Sequence, residues 1–181
     1  MQGAKKALIK HGYAKLTTNR IAAAAGVSVG SLYQYFPDKN AILIRMIREY
    51  ADGMQERMQA TILANLSSDP EQIVAVVIDS MVDAFAAEKD LMAVIVGEVP
   101  YHGGLAELDA IHGKIVDNLT MFIGLIGGQQ VKNPRLKAYV AFKGVDGVLL
   151  GWLSGRSGFT AAEIKEELTL LATNYLQTIA P

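Results

Sequence analysis

The stretch Thr17 to Lys39, TTNRIAAAAGVSVGSLYQYFPDK, leaves this chain little freedom in how it folds. A hydroxyl at Thr17 or Thr18 can accept from the free N–H groups of a first helical turn, so a helix is predicted to start there. Ile21, Ala22 and Ala25 then share a face at 3.6-residue spacing. Gly26 follows, the residue that takes the left-handed conformation of a helix end at least cost. Ser28 can cap a second helix, with Val27 packing just before it. Leu32 and Phe36, four apart, give that helix an inward face. Pro37 closes it, and Asp38 can cap a third element. Helix, tight turn, short helix, stop and helix make up a helix-turn-helix, a unit that sets a helix in the major groove of duplex DNA.

At these residues the chain resembles the TetR family of bacterial transcriptional regulators. The matching positions are Thr17, Thr18, Ile21, Ala22, Ala25, Gly26, Val27, Ser28, Gly30, Leu32, Tyr33, Tyr35, Phe36, Asp38 and Lys39. Upstream, Ala4, Leu8, Gly12 and Tyr13 resemble the end of the family's first helix. The family usually has a longer first helix preceded by a basic arm; here the sequence opens at Met1-Gln2-Gly3, inside that helix. The resemblance implies phosphate contacts from Thr18, Tyr33, Tyr35 and Lys39, and base contacts from Val29, Ser31 and Gln34.

The residue chemistry points the same way. Ser28, Val29, Gly30 and Ser31 are small and let a helix start come close to DNA, where its N–H groups favour a phosphate. Gln34 can pair bidentately with adenine, and Val29 can meet a thymine methyl. Asn19 and Arg20, early in the preceding helix, can reach the backbone or a base edge. Plainer alternatives stay open: one of Tyr33 and Tyr35 only braces the unit, and Lys39 is an ordinary solvated charge.

The net charge of −1 conceals a split. Residues 1–50 carry eight Lys and Arg against Asp38 and Glu49, and the remainder carries nine against sixteen. A basic first quarter favours a polyanion at that end. There is no cysteine, hence no disulfide framework and no thiolate metal site. No signal peptide is recognised. Of the two most apolar runs, Leu91–Val96 is too short to span a bilayer, and Val140–Leu153 is interrupted by Lys143 and Asp146. A cytoplasmic protein without a membrane segment or cofactor is expected.

Strand periodicity is nearly absent, so the reading is all-α. Helices are predicted over 2–11, then in the motif, then from Lys39 to about Asn65, a rod of roughly 40 Å. Further helices are predicted from Pro70 to Glu88, Asp90 to Val99, Leu105 to Ile126, Pro134 to Ser154 and, behind the capping box Thr160-x-x-Glu163, on to Ile179. The expected division is a DNA-binding domain over 1–45 and a larger helical domain for ligand binding and dimerisation over 46–181.

Within that larger domain, Gly144, Gly147 and Gly151 fall on one helical face, extended by Val140 and Leu136. Each glycine inside a helix costs about 1 kcal/mol relative to Ala, so a close helix–helix approach is expected to compensate. Ile164, Leu168, Leu171 and Tyr175 form a second stripe. Two such helices from each subunit would form a four-helix homodimer interface, reading a palindromic operator about one DNA turn, roughly 34–36 Å, between half-sites. The alternative is that both stripes pack within one subunit. Candidate effector contacts are Phe85, Met92, Glu98, Tyr101, His112, Asn118, Met121, Phe122 and Trp152, with Met81, Ile95 and His102 in the same helices and loop. They suit a small, mostly apolar molecule fixed by few polar groups.

Enzymatic signatures are lacking. His102 and His112 lack zinc-ligand spacing, and neither a nucleophile elbow nor a P-loop occurs. The resemblance implies a ligand-responsive repressor. The other function class carried by the sequence is a helical small-molecule-binding protein whose helix-turn-helix no longer binds DNA.

Overall fold

The computed structural model describes residues 1–98, 105–127, 131–153 and 157–177, and every regular element among them is a helix. In chain order these are α1 (Gln2–His11), α2 (Thr18–Ala25), α3 (Val29–Tyr33), α4 (Lys39–Ala64), α5 (Pro70–Ala87), α6 (Lys89–Glu98), α7 (Leu105–Gly127), α8 (Pro134–Leu153) and α9 (Ala161–Gln177). The predicted helices are all present among the described residues; the predicted ends at Val99, Ser154 and Ile179 lie outside them.

The chain divides into two compact units, one of Met1–Asp52 with Glu88–Leu108, the other of Gly53–Ala87 with Asp109–Pro181. The first is therefore discontinuous. The expected boundary near residue 45 falls inside α4, and α6 groups with the N-terminal helices because it packs on α1. Two ion pairs reinforce this grouping. Lys5 on α1 pairs with Glu88, and Arg48 on α4 donates to both oxygens of Glu107 at 2.7 and 2.6 Å.

The first unit closes around Leu8, Leu16, Ile21, Ile42, Leu43, Met46 and Ile47, with Leu91, Met92 and Ile95 of α6 equally buried. Small residues set its tightest approach: at Gly3 a Cβ would meet the Ala25 backbone. The second unit has a core of Val74, Ile78 and Val82 from α5, Val145 and Leu149 from α8, and Ile164 and Leu168 from α9. A second cluster joins Val116 and Ile123 to Ala138 and Phe142. Lys165 on α9 bridges Asp79 and Asp83 on α5 at 2.6 and 2.8 Å. The Thr160–Glu163 capping box is formed: Thr160 N donates to Glu163 Oε2 at 2.8 Å, and Glu163 N donates to Thr160 Oγ1 at 3.3 Å.

Candidate nucleic-acid interface

The helix-turn-helix assembles from its caps. Thr17, not Thr18, caps α2, its hydroxyl accepting from Arg20 N at 3.2 Å. Gly26 takes the left-handed conformation at φ 68°, where a Cβ would be strained, and the Gly26 N–H donates back to Ala23 O at 3.3 Å. Ser28 caps α3, accepting from Ser31 N at 3.0 Å. Asp38 caps α4, accepting from Ala41 N at 2.8 Å. Three caps within twenty-odd residues matter because a helix as short as α3 cannot hold itself in water. The Leu32 side chain anchors it inward and Phe36 is half-buried, whereas Val27 is 46% exposed and does not form the packing expected before Ser28.

That anchoring leaves the other face of α3 outward. Gly30, Ser31, Tyr33, Gln34 and Tyr35 are exposed, Tyr33 by 53% and Tyr35 by 77%, and Val29 is half-exposed. Gln34 lies just past the helix but keeps helical dihedrals, so its side chain continues the face. Ser28 and Ser31 hydroxyls sit 2.8 Å apart, and Thr18 Oγ1 lies 3.2 Å from the Tyr33 hydroxyl. The second pair ties α2 to α3 and sets two hydroxyls side by side at the surface. Asn19 and Arg20 are exposed, with the Arg20 guanidinium turned back to donate to the Lys15 carbonyl. Lys39 is held: its ammonium donates to the Tyr13 carbonyl at 3.1 Å and stands 4.3 Å from the Tyr13 ring centroid.

The local field is positive. His11 releases its proton more readily than usual, first through desolvation, then through the charges of Arg20, Lys10 and Lys15. The predicted DNA-facing residues thus lie on neighbouring exposed segments of one unit. Tyr13 and Asn40, which sequence reasoning did not select, brace the start of α4: the Tyr13 hydroxyl donates to Asn40 Oδ1 at 3.1 Å. The sequence signal for Tyr13 is its place after Gly12, among the residues that resemble the end of the family's first helix.

Residues 1–46 match the family model of bacterial regulatory proteins of the tetR family, and residues 69–176 match that of the tetracycline-repressor-like C-terminal domain. The chain belongs to the TetR family. Its members are transcriptional regulators rather than enzymes. Among curated relatives, the transcriptional repressor AcnR of Corynebacterium efficiens is 29% identical over 76 residues, covering 40% of each chain. The match therefore spans less than half the length of that relative. Among solved structures, the fatty acid degradation regulator FadR of Bacillus halodurans superposes with a TM-score of 0.77 at 20% identity, over 94% of this chain and 90% of that one. FadR of Bacillus subtilis, solved in complex with stearoyl-CoA, gives a TM-score of 0.68 at 19% identity, over 98% and 94%. These likenesses show the shared fold.

Within the TetR framework the expected effector contacts scatter. Phe85 and Trp152 pack against the core of the second unit, and the Trp152 indole donates to Phe159 O at 2.9 Å. Asn118 and Phe122 are half-buried on α7, but Met121 is 69% exposed. Met92 is buried in the first unit, where α6 packs on α1. The Glu98 side chain, Tyr101 and His102 lie outside the described residues. Among the described candidates, His112 has a defined polar setting. Lys143 Nζ lies 3.0 Å from its Nδ1, and Phe142 meets the ring edge-on at 5.0 Å. Lysine can only donate, so Nδ1 accepts and the ring is neutral. Burial, then Lys143, lowers the His112 pKa, which agrees with that state.

The stripe expected at a dimer interface divides in two. Ile164 and Leu168 belong to the chain's own core against α5 and α8. Tyr175 packs beside the smaller cluster. Val140, Gly144, Gly147, Gly151 and Leu171 are exposed.

Proposed function

We propose that this chain is a ligand-responsive repressor that binds a palindromic operator as a homodimer and releases it on binding a small, mostly apolar effector. The observation that carries the reading is the outward face of α3. Ser31, Tyr33, Gln34 and Tyr35 are exposed on and just past a short helix that the Ser28 cap and Leu32 hold in place. Val29, Ser31 and Gln34 are the residues for base edges. Thr18, Tyr33, Tyr35 and Lys39 take phosphates, with Asn19, Arg20, Ser28 and Gly30 alongside. Repression agrees with the role of AcnR, and an apolar effector with the stearoyl-CoA complex of FadR.

Residues 1–45 form the DNA-reading part, and 46–181 dimerise and hold the effector. Dimerisation uses the exposed side of α8 and α9: Val140 is 45% and Leu171 48% exposed, beside Gly144, Gly147 and Gly151. Phe85, Met92, His112, Asn118, Met121, Phe122 and Trp152 are the described candidates for the effector. A shift in that part reaches the DNA-reading helices along α4, and the spacing of the two α3 helices changes. Linkage is reciprocal, so operator must weaken effector binding by the factor by which effector weakens operator binding.

A salt titration tests the reading. The logarithm of the affinity for duplex must fall steeply and linearly with log salt, through counterion release. Flat, weak binding to every duplex would instead favour a helical small-molecule-binding protein without DNA function.

A further inference from the structure

We propose that Tyr13 is a positioning residue for DNA affinity: it holds the Lys39 ammonium in place for a backbone phosphate without touching DNA itself. This rests on the DNA-binding reading above. Lys39 is the first residue of α4, where the helix dipole disfavours a cation. A lysine there needs compensation, and Tyr13 supplies it twice. Its carbonyl accepts from Lys39 Nζ at 3.1 Å, and its ring face lies under the ammonium at 4.3 Å. The same carbonyl also accepts from Leu16 N at 3.0 Å, so the turn after α1 fixes its direction. The Tyr13 hydroxyl in turn donates to Asn40 Oδ1 at 3.1 Å, locking the ring against the start of α4.

Tyr13 is only 4% exposed, so its influence on DNA has to pass through Lys39. An ammonium carries three N–H donors. The carbonyl takes one and the ring faces another; the third is for a phosphate oxygen. A free lysine side chain loses much rotational freedom on binding, whereas one already tethered loses less.

The test is a double-mutant cycle read on a mixed-sequence duplex, because a phosphate contact ignores sequence. Tyr13→Leu removes the ring, and a cation–π contact at a partly exposed site is worth about a two- to fivefold change in affinity. We expect that loss in the unaltered protein, on all sequences alike. In a Lys39→Ala background Tyr13→Leu should change affinity less than about 1.5-fold, since coupled residues do not add. Tyr13→Phe should rescue most of the loss.

A second series keeps the volume constant and bypasses any failure of Tyr13→Leu to fold. Phenylalanine at position 13 is replaced by phenylalanines of increasing ring fluorination, which drains the ring face of negative potential. Affinity should fall stepwise with fluorination, and only while Lys39 is present. Equal losses with and without Lys39, or no response to fluorination, would overturn the role of Tyr13 alone. Absence of any salt-dependent duplex binding by the unaltered protein would overturn the DNA-binding reading and this inference together.

Discussion

Gly3→Ala sets packing against helix propensity, and the structure decides which wins. In a helix interior, Ala is favoured over Gly by about 1 kcal/mol, and by less in a first turn. Gly3 stands in the first turn of α1, so propensity alone predicts a small gain. A Cβ there would lie 2.5 Å from Ala25 N and 2.7 Å from Ala25 Cβ, and closer still to Ala25 Cα. Two of those atoms are backbone and cannot turn aside. Ala25 is the last residue of α2, followed by Gly26 in its left-handed turn, so α1 and α2 must separate. Overpacking of this kind costs about 1–3 kcal/mol. The net is a loss of about 1–2 kcal/mol, or about 2–8 °C in melting temperature for a chain of this size. The partner experiment is Gly53→Ala in α4, where a Cβ meets nothing within 4 Å. There propensity acts alone, and the melting temperature should rise by about 2–4 °C. Circular-dichroism melts of both variants give the answer. Gly3→Ala melting at or above the unaltered protein would refute the close approach of α1 to α2.

Glu163 accepts from Thr160 in the capping box, first from its backbone N–H and then from its hydroxyl, and these bonds lower the carboxyl pKa. A depressed carboxyl stabilises the fold above its unfolded value near 4.5, and that contribution disappears as pH falls through the lower folded value. Glu163→Gln should therefore lose stability at neutral pH and show a flatter acid limb in denaturant titrations; identical acid limbs would dismiss the charged cap. Val140→Asp on the exposed side of α8 would bury an unpaired charge in the proposed dimer, at about 3–5 kcal/mol. Sedimentation should then show single chains with unchanged helix content, and an unaltered sedimentation profile would exclude that face. Leu168→Ala empties a core position that is almost wholly buried, and urea denaturation should show a loss of about 2–5 kcal/mol.

Local chemistry was legible in the sequence. Thr17, Gly26, Ser28, Asp38 and the Thr160–Glu163 box all act within a few residues of themselves, so spacing alone identifies them. What spacing cannot tell is which neighbour a face meets. The α9 stripe is real, but Ile164 and Leu168 turn to α5 and α8 while Leu171 stays exposed. The place of α6 follows the same principle: it groups with α1 through a packing that brings Lys5 to Glu88, 83 residues away. Val27 has the right place for a staple, yet is left exposed. Lys39 reads as a phosphate contact or an ordinary solvated charge, and its tether appears only when the turn after α1 brings Tyr13 beneath it.

The central claim is that the face around α3 reads duplex DNA by sequence. Selection of bound duplexes from a random pool, run in parallel with the Gln34→Ala variant, tests it most directly. The account predicts an enriched, two-fold symmetric sequence with half-sites about 10 base pairs apart, and altered preference at one position per half-site for the variant. A pool that stays random, or the same enriched sequence with and without Gln34, would contradict it.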